Sequence, residues 1–192
     1  MNVKDAIETR RAYRSLEGIE IDSNLIHDLA HTAQIAPSCN NSQPWNFIFV
    51  YDQEQLQKLF STLTAHNKWV EKASMIIAVF SAVKDDCMIK DRVYYLFDTG
   101  MATAFIILRA TELGLVAHPI AGYNEAKAKE ILGIPEQMRL ITLINIGKHS
   151  DSINPVLSEN MKLGEKQRPP RKPLSEMMYI NKYGNKFTDN LG

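Results

Sequence analysis

Apolar residues recur along the chain with two different spacings, which predicts helices alternating with strands. Leu25, Leu29 and Ala33 are each four positions apart, as on one face of a helix. Residues 47–51 and 75–80 are instead continuously apolar, and residues 140–146 are apolar apart from Thr142 and Asn145. These runs favour buried strands, and residues 116–120 fit a shorter strand. The pattern therefore predicts a small mixed sheet covered by helices, an α+β layered fold rather than a regular doubly wound one.

Residues that stabilise helix ends stand where this pattern expects helices to begin and stop. Each candidate N-cap has a side-chain oxygen that can accept a backbone N–H of the first turn. These residues are Asn2, Asp22 or Ser23, Asp52 and Asn124. The first helix is expected over residues 2–10, and Gly133 follows the helix that Asn124 begins.

A long helix is expected from about residue 93 to 113, with Gly114 placed to stop it. Residues 99–108 carry no charge, and apolar residues occupy nearly every face of this helix. A helix that is apolar all round needs neighbours on all sides. In a chain of 192 residues, a homodimer interface is an economical way to supply them.

Composition indicates one globular domain over residues 1–192 and excludes several classes of function. The chain has 22 Lys and Arg against 22 Asp and Glu, so no overall field attracts nucleic acid. Its most apolar stretch, residues 101–108, is far shorter than the roughly 20 residues of a membrane span. Cys39 and Cys87 lack metal-site spacing and no export signal is recognisable, so we expect unpaired cysteines and a cytoplasmic protein.

The sequence lacks the common motifs of several enzyme classes. No GxGxxG, GxxxxGK[ST], GxSxG or HExxH occurs, so dinucleotide folds, P-loops and serine hydrolases lose support. His27 and His31 have the spacing of a helical metal pair, but they have no third ligand nearby, and solvent exposure is the better interpretation. Cys39 has no flanking cation to activate its thiol and is expected to be a bystander.

Arginines form the strongest chemical signal. Arg10, Arg11 and Arg14 are concentrated within five residues, and Arg168, Arg171 and Lys172 form a second basic group in a Pro-rich tail. A guanidinium group can donate two parallel hydrogen bonds to phosphate oxygens. Several guanidinium groups close together repel one another unless a bound anion or nearby carboxylates offset their charge. The alternative for the first group is a helix C-terminus, where cations are favoured anyway. The tail could close on the same anion if it folds back.

A second candidate segment is the polar loop over residues 36–45, APSCNNSQPW, which is dense in amide donors and acceptors. Such a loop can bind the edge of a flat heterocycle, or its amides can simply satisfy their own turns. With the arginines it forms part of an ordered set of motifs. The others are NKW at 67–69, DTG at 98–100, ELGL at 112–115, PIAGY at 119–123, LGIP at 132–135 and RPPRKPL at 168–174.

In this order the motifs resemble those of the FMN-dependent nitroreductase superfamily. The resemblance implies a three-layer α+β fold with a central mixed, mostly antiparallel sheet, and an intertwined homodimer with FMN at the subunit interface. It also implies NADH or NADPH as electron donor. The expectations of no metal, no nucleic acid and no membrane partner rest instead on the composition and residue spacing given above. Residues 162–192 would form a strap toward the partner subunit.

The resemblance also assigns roles to individual residues. Arg10, Arg14 and Arg171 would hold the FMN phosphate, with Arg11 near the ring and Lys172 in a weaker role. Pro37, Ser38 and Asn41 would come from the partner, and Asn67 would address the pyrimidine. A turn of Pro119, Ile120, Ala121 and Gly122 would lie beside the flavin N5. No catalytic side chain is needed, because the nicotinamide and a nitroaromatic, quinone or similar acceptor react with the flavin in turn.

Two departures from the family pattern leave alternatives open. Ala12 stands where the family usually has serine, and Ala121 where some members have glutamate, so the subgroup is open. A flavin-dependent dehydrogenase or dehalogenase of a specific metabolite is the alternative within the fold. A flavin- or anion-binding module without turnover is the alternative from another class.

Overall fold

Strands β3 (Met75–Ser81) and β5 (Arg139–His149) form the middle of the sheet in the computed structural model, which describes residues 1–187. Successive side chains of a strand point to opposite faces, so the apolar run of β3 contributes to two cores. Met75, Ile77 and Val79 pack into one core cluster, and Ile76 and Ala78 into the other. The continuous apolar runs therefore mark strands that are covered on both faces.

The sheet has five strands in the order β1 (Leu16–Glu17), β5, β3 and β2 (Asn46–Val50), with β4 (Val116–Ile120) also paired to β5. Residues 143–147 of β5 pair with β4, and the following residues 148–149 pair with β1. Each pairing within residues 1–187 is antiparallel, so the predicted mixed character is not seen within this chain.

Helices cover both faces and confirm the predicted three-layer α+β fold. On one face lie α2 (Ser23–Gln34) and α4 (Tyr95–Glu112), and on the other lie α3 (Gln53–Phe60) and α5 (Glu125–Leu132). Helix α1 (Val3–Thr9) precedes the first strand, and α6 (Glu159–Lys166) follows the last. All four predicted N-caps are observed, with Asp22 rather than Ser23 as the second.

Helix α4 buries one side and leaves another open. Ala102, Ile106 and Ala110 are fully buried against the sheet and α2. Phe97 is 63% exposed, and Gly100 and Ala104 continue the same uncovered stripe. A single chain therefore covers only part of this apolar helix.

The tail differs from the prediction of a strap beginning at residue 162. Helix α6 extends to Lys166, and an irregular segment follows that contains one short turn, Leu174–Glu176. Its side chains are mostly exposed. The path of this strap toward a partner subunit stays a prediction, and residues 188–192 lie outside the described residues.

The two cysteines are joined in a disulfide, so the prediction of unpaired cysteines is wrong. Cys39 and Cys87 have their Cα atoms 5.8 Å apart and are 48 positions apart in sequence. The segment after β3 folds back over the polar loop and brings Cys87 to it, a long-range approach that residue spacing does not reveal. The bond ties the polar loop to the segment that precedes α4.

Among residues 1–187, no helix combines the length and the hydropathy of a bilayer-crossing segment.

Candidate functional site

Five arginines from two distant segments line one small cavity. The segment that follows α1 supplies three of them, and the tail that follows α6 supplies two. The cavity has a volume of about 170 Å³ and is lined by Arg10, Arg11, Ala12, Arg14, Gly164, Arg168, Pro169 and Arg171. The tail therefore folds back onto the first arginine group within one chain. Lys172 does not line the cavity.

Hydrogen bonds between the two segments explain this closure. Nη2 of Arg168 donates to the carbonyl oxygen of Arg10 at 2.8 Å and also to that of Glu8, in the last turn of α1. The last carbonyl groups of a helix lack partners within the helix, so a guanidinium there satisfies them. Nη2 of Arg11 in turn donates to the carbonyl oxygen of Gly164 at 2.7 Å.

The cluster is electrostatically unfavourable as it stands. Burial lowers the pKa of Arg10, and the charges of Arg168, Arg171 and Arg11 lower it further. No acidic side chain is among the lining residues of this cavity within residues 1–187. A bound anion would relieve the repulsion, and phosphate oxygens match the paired N–H groups of guanidinium.

A layer of buried polar groups lies beneath the arginines. Oε1 of Glu165 accepts the backbone N–H of Arg14 at 2.9 Å, and Oε2 accepts that of Ser15 at 3.0 Å. The Glu165 side chain is 3% exposed. A carboxylate with both oxygens on backbone amides fixes the path of the chain that carries Arg14.

His118 joins β4 to the same arginine segment. Its Nδ1 donates to the carbonyl oxygen of Tyr13 at 3.0 Å, because a carbonyl can only accept. Its ring packs against Trp69 with centroids 4.7 Å apart. Burial lowers the pKa of His118 to about 4, more than the hydrogen bond to Tyr13 raises it, and the nearby Arg14 lowers it further. The imidazole is therefore neutral near pH 7.

Asn67 and Gly122 lie in contact with each other. Nδ2 of Asn67 donates to the carbonyl oxygen of Gly122 at 3.0 Å, and the backbone N–H of Thr64 donates to the same oxygen at 3.1 Å. A Cβ on Gly122 would lie 2.5 Å from Nδ2 of Asn67 and 2.9 Å from Oγ1 of Thr64. Any larger residue at this position would therefore have to displace Asn67 or Thr64.

The strand predicted over residues 116–120 is confirmed as β4, and it includes the first half of the turn that the resemblance implies over residues 119–122. Pro119 and Ile120 belong to β4 and pair with Ile144 and Leu143 of β5. Proline is tolerated here because β4 is at an edge of the sheet and pairs only with β5 among the described strands. Its missing N–H therefore costs no hydrogen bond to a strand on the other side. The Ile120 side chain is buried in the core, so only its backbone could serve a ligand.

The polar loop has a strained backbone that α4 helps to hold. Asn40, Asn41 and Gln43 all have positive φ angles, between 48° and 55°. The backbone N–H of Cys39 donates at 3.0 Å to Oδ2 of Asp98, a buried residue of α4. The loop does not line the arginine cavity, so Pro37, Ser38 and Asn41 are not brought to Arg10 within one chain.

Sequence reasoning missed several residues of this region. Arg168 has no assigned role in the sequence-based prediction beyond the basic tail, although its place in the RPPRKP segment is a signal for it. Glu165 and His118 carry no local signal, because their partners are Arg14 and Tyr13, 151 and 105 positions away.

Comparisons with known proteins find a family, a relative and solved structures that this chain resembles. The profile of the Nitroreductase family matches residues 7–64 and 55–148. A relative from Archaeoglobus fulgidus, provisionally named NADH dehydrogenase/NAD(P)H nitroreductase, is 32% identical over 76% of this chain and 84% of its own. A nitroreductase family protein from Clostridium novyi is 27% identical, with a TM-score of 0.73 over 97% of each chain.

A third likeness concerns the fold alone. A provisionally named nitroreductase from Exiguobacterium sibiricum, solved in complex with FMN, has a TM-score of 0.78 at 20% identity and covers 93% of this chain and 96% of its own. The family profile spans most of the chain, and its N-terminal match begins within α1, just before the arginine segment. The chain described here belongs to the nitroreductase family.

Proposed function

We propose that the protein is an FMN-dependent oxidoreductase that passes electrons from NADH or NADPH to a nitroaromatic, quinone or similar conjugated acceptor. The cavity lined by five arginines carries the proposal, because it offers guanidinium groups and no carboxylate to a ligand. The terminal phosphate of FMN fits this chemistry, whereas an uncharged flavin would leave the repulsion around Arg10 unrelieved. FMN in a solved protein of the same fold supports the choice.

Within this proposal different arginines contact different parts of FMN. Arg10, Arg14 and Arg171 hold the phosphate, while Arg11 is nearer the ring and Lys172 is a weaker contributor. Since Nδ2 of Asn67 is used on Gly122, the Oδ1 atom is the one that would accept the pyrimidine N–H. The backbone of Pro119, Ile120, Ala121 and Gly122 would flank the ring.

The bound flavin would supply the hydride-transfer chemistry. The protein's task is then to bind and orient the reactants, and we assign no proton donor. A cation or N–H donors beside the pyrimidine favour the negative charge that reduction places there. We expect the nicotinamide and the acceptor to use the same site in turn.

We also propose that the active form is a homodimer. Phe97, Gly100 and Ala104 leave a stripe of α4 uncovered, and α1 and α4 border an apolar groove of about 520 Å³. Pro37, Ser38 and Asn41 do not reach the arginine cavity of their own chain, so a partner subunit would supply them. The strap after α6 would extend toward that partner.

The first test is the visible spectrum of the purified protein, followed by anaerobic addition of NADH and then NADPH. We expect an oxidised-flavin spectrum that one or both nucleotides bleach. A protein that stays colourless after incubation with FMN would refute the proposal. If FMN is bound but neither nucleotide bleaches it, the specific dehydrogenase alternative takes precedence.

A second test addresses the phosphate contacts. Arg10→Ala and Arg171→Ala should each weaken FMN binding about 10-fold or more, as expected for loss of a charge-assisted contact, while riboflavin binding stays unchanged. Arg139→Ala is the control for loss of an arginine, since Arg139 is exposed at the start of β5 and does not line the cavity. Equal FMN affinity in all three variants would remove the site assignment.

A further inference from the structure

Glu165 contacts the arginine segment but is not part of the cavity that we assign to the flavin phosphate. It is one of two buried carboxylates within residues 1–187, the other being Asp98. Its oxygens accept the backbone N–H groups of Arg14 and Ser15. Residues 10–15, which carry three of the five cavity arginines, have no regular secondary structure to hold them. Their geometry must therefore come from contacts with other elements.

His118 supplies one of those contacts at Tyr13, and two consecutive residues of α6 supply others. The carbonyl oxygen of Gly164 accepts the guanidinium of Arg11, and the side chain of Glu165 accepts the backbone at Arg14. One turn later Arg168 donates to the carbonyl oxygen of Arg10. Each of the three clustered arginines is thus held by one residue of α6 or of the segment just after it.

The chemistry of residue 165 decides how well this support works. A carboxylate presents two acceptor oxygens to two N–H donors, and bonds to a charged acceptor are about twice as strong as neutral ones. A glutamine would present one oxygen and one NH₂, so a donor would face a donor at one of the two amides. The segment would lose part of its support without any change in the size of the buried side chain.

We propose that Glu165 is a positioning residue of the phosphate site: it sets the backbone at Arg14 so that the guanidinium groups converge on one anion. The inference rests on the proposed function. It differs from the arginine assignment because Glu165 carries the wrong charge to bind phosphate and acts through the residues it holds. Its negative charge taken alone would weaken phosphate binding, so geometry and charge predict opposite effects of neutralising it.

Glu165→Gln distinguishes the effect of lost backbone support from the effect of removing a negative charge. We expect it to raise the FMN dissociation constant about 10-fold or more and to change the riboflavin dissociation constant by less than about 2-fold. Riboflavin is FMN without the phosphate, so only a loss confined to FMN reports on the phosphate site. Titrations that follow flavin fluorescence give both constants. Tighter or unchanged FMN binding would overturn the proposal, and an equal loss for both flavins would reduce Glu165 to general structural support.

Two further variants complete the design. Glu159→Gln, in the first turn of the same helix, removes an exposed carboxylate that pairs with Lys162, and should leave both constants unchanged. Glu165→Asp keeps the charge with a shorter reach and should show a smaller loss, again for FMN only. If neither variant of Glu165 folds while Glu159→Gln does, the residue is needed for folding and the positioning role is refuted. If the unmodified protein binds FMN no better than riboflavin, the proposed phosphate site itself fails, which is a different outcome.

Discussion

A neutral histidine buried beside arginines makes stability depend on pH in a defined window. His118 has an ordinary pKa of 6.5 that burial lowers to about 4 in the folded chain. Between these values the unfolded chain binds a proton that the folded chain does not, so stability falls as pH falls through this window. The total loss is about 3 kcal/mol, from about 1.4 kcal/mol for each pKa unit.

We expect His118→Gln, which keeps a side-chain donor for the carbonyl oxygen of Tyr13, to lose less stability on acidification than the unmodified protein. Urea denaturation of both proteins at about pH 7 and about pH 4.5 gives the loss in the free energy of unfolding for each. Both proteins have the same carboxylates, so the contribution of these groups cancels when the two losses are compared. Equal losses in the two proteins would mean that His118 is not held neutral.

The space around Gly122 can be tested by a single substitution. Gly122→Ala would place a methyl group 2.5 Å from Nδ2 of Asn67. Something must move, and we expect the free energy of unfolding to fall by about 1–3 kcal/mol, as for other overpacked sites. Gly18→Ala is the control, because its nearest neighbour would be Oγ of Ser74 at 3.8 Å, an ordinary contact. Chemical denaturation of both variants gives the comparison, and equal stabilities would contradict the crowding seen here.

At the level of elements, the disulfide connects the polar loop to the segment before α4. The bond closes a loop of 48 positions and so lowers the conformational entropy of the unfolded chain. By the chain-entropy estimate this stabilises the folded state by about 4 kcal/mol. We therefore expect a thiol reductant to lower the denaturation midpoint of the protein markedly. A Cys39→Ser, Cys87→Ser double variant should be less stable from the outset and insensitive to the reductant. Two titratable thiols in the folded, unreduced protein would show that the bond does not form.

Elements defined by local signals were predictable, whereas those defined by distant partners were not. Asn2, Asp22, Asp52 and Asn124 each accept the N–H three residues later, so one short segment contains the whole signal. Strand β1 has only two residues and shows no periodicity, and its existence depends on β5. The arginines of the candidate site were recognised because they are clustered in sequence, but the contacts that hold them join positions that only the folded chain brings together.

For the whole molecule, the uncovered stripe of α4 predicts association. Phe97→Glu would place a charge on that stripe, and a buried unpaired charge is strongly unfavourable. We expect this variant to be monomeric and to lose flavin, because the partner would no longer supply its loop. Val156→Glu, on an exposed apolar residue just before α6, is the control. Sedimentation velocity and flavin content measure both effects, and a Phe97→Glu dimer with full flavin would exclude α4 as the interface.

The arginine cavity also affects when the protein can become functional. Its walls come from residues 10–14 and 164–171, joined by contacts that span 151 to 158 positions. Contacts this distant form late, since the chain between them must be ordered before they can close. A ribosome-bound chain that has exposed the whole sheet but not residues 164–171 would have its sheet and no arginine cavity. If the cavity binds FMN as we propose, FMN uptake would thus report that synthesis and folding had both reached the tail.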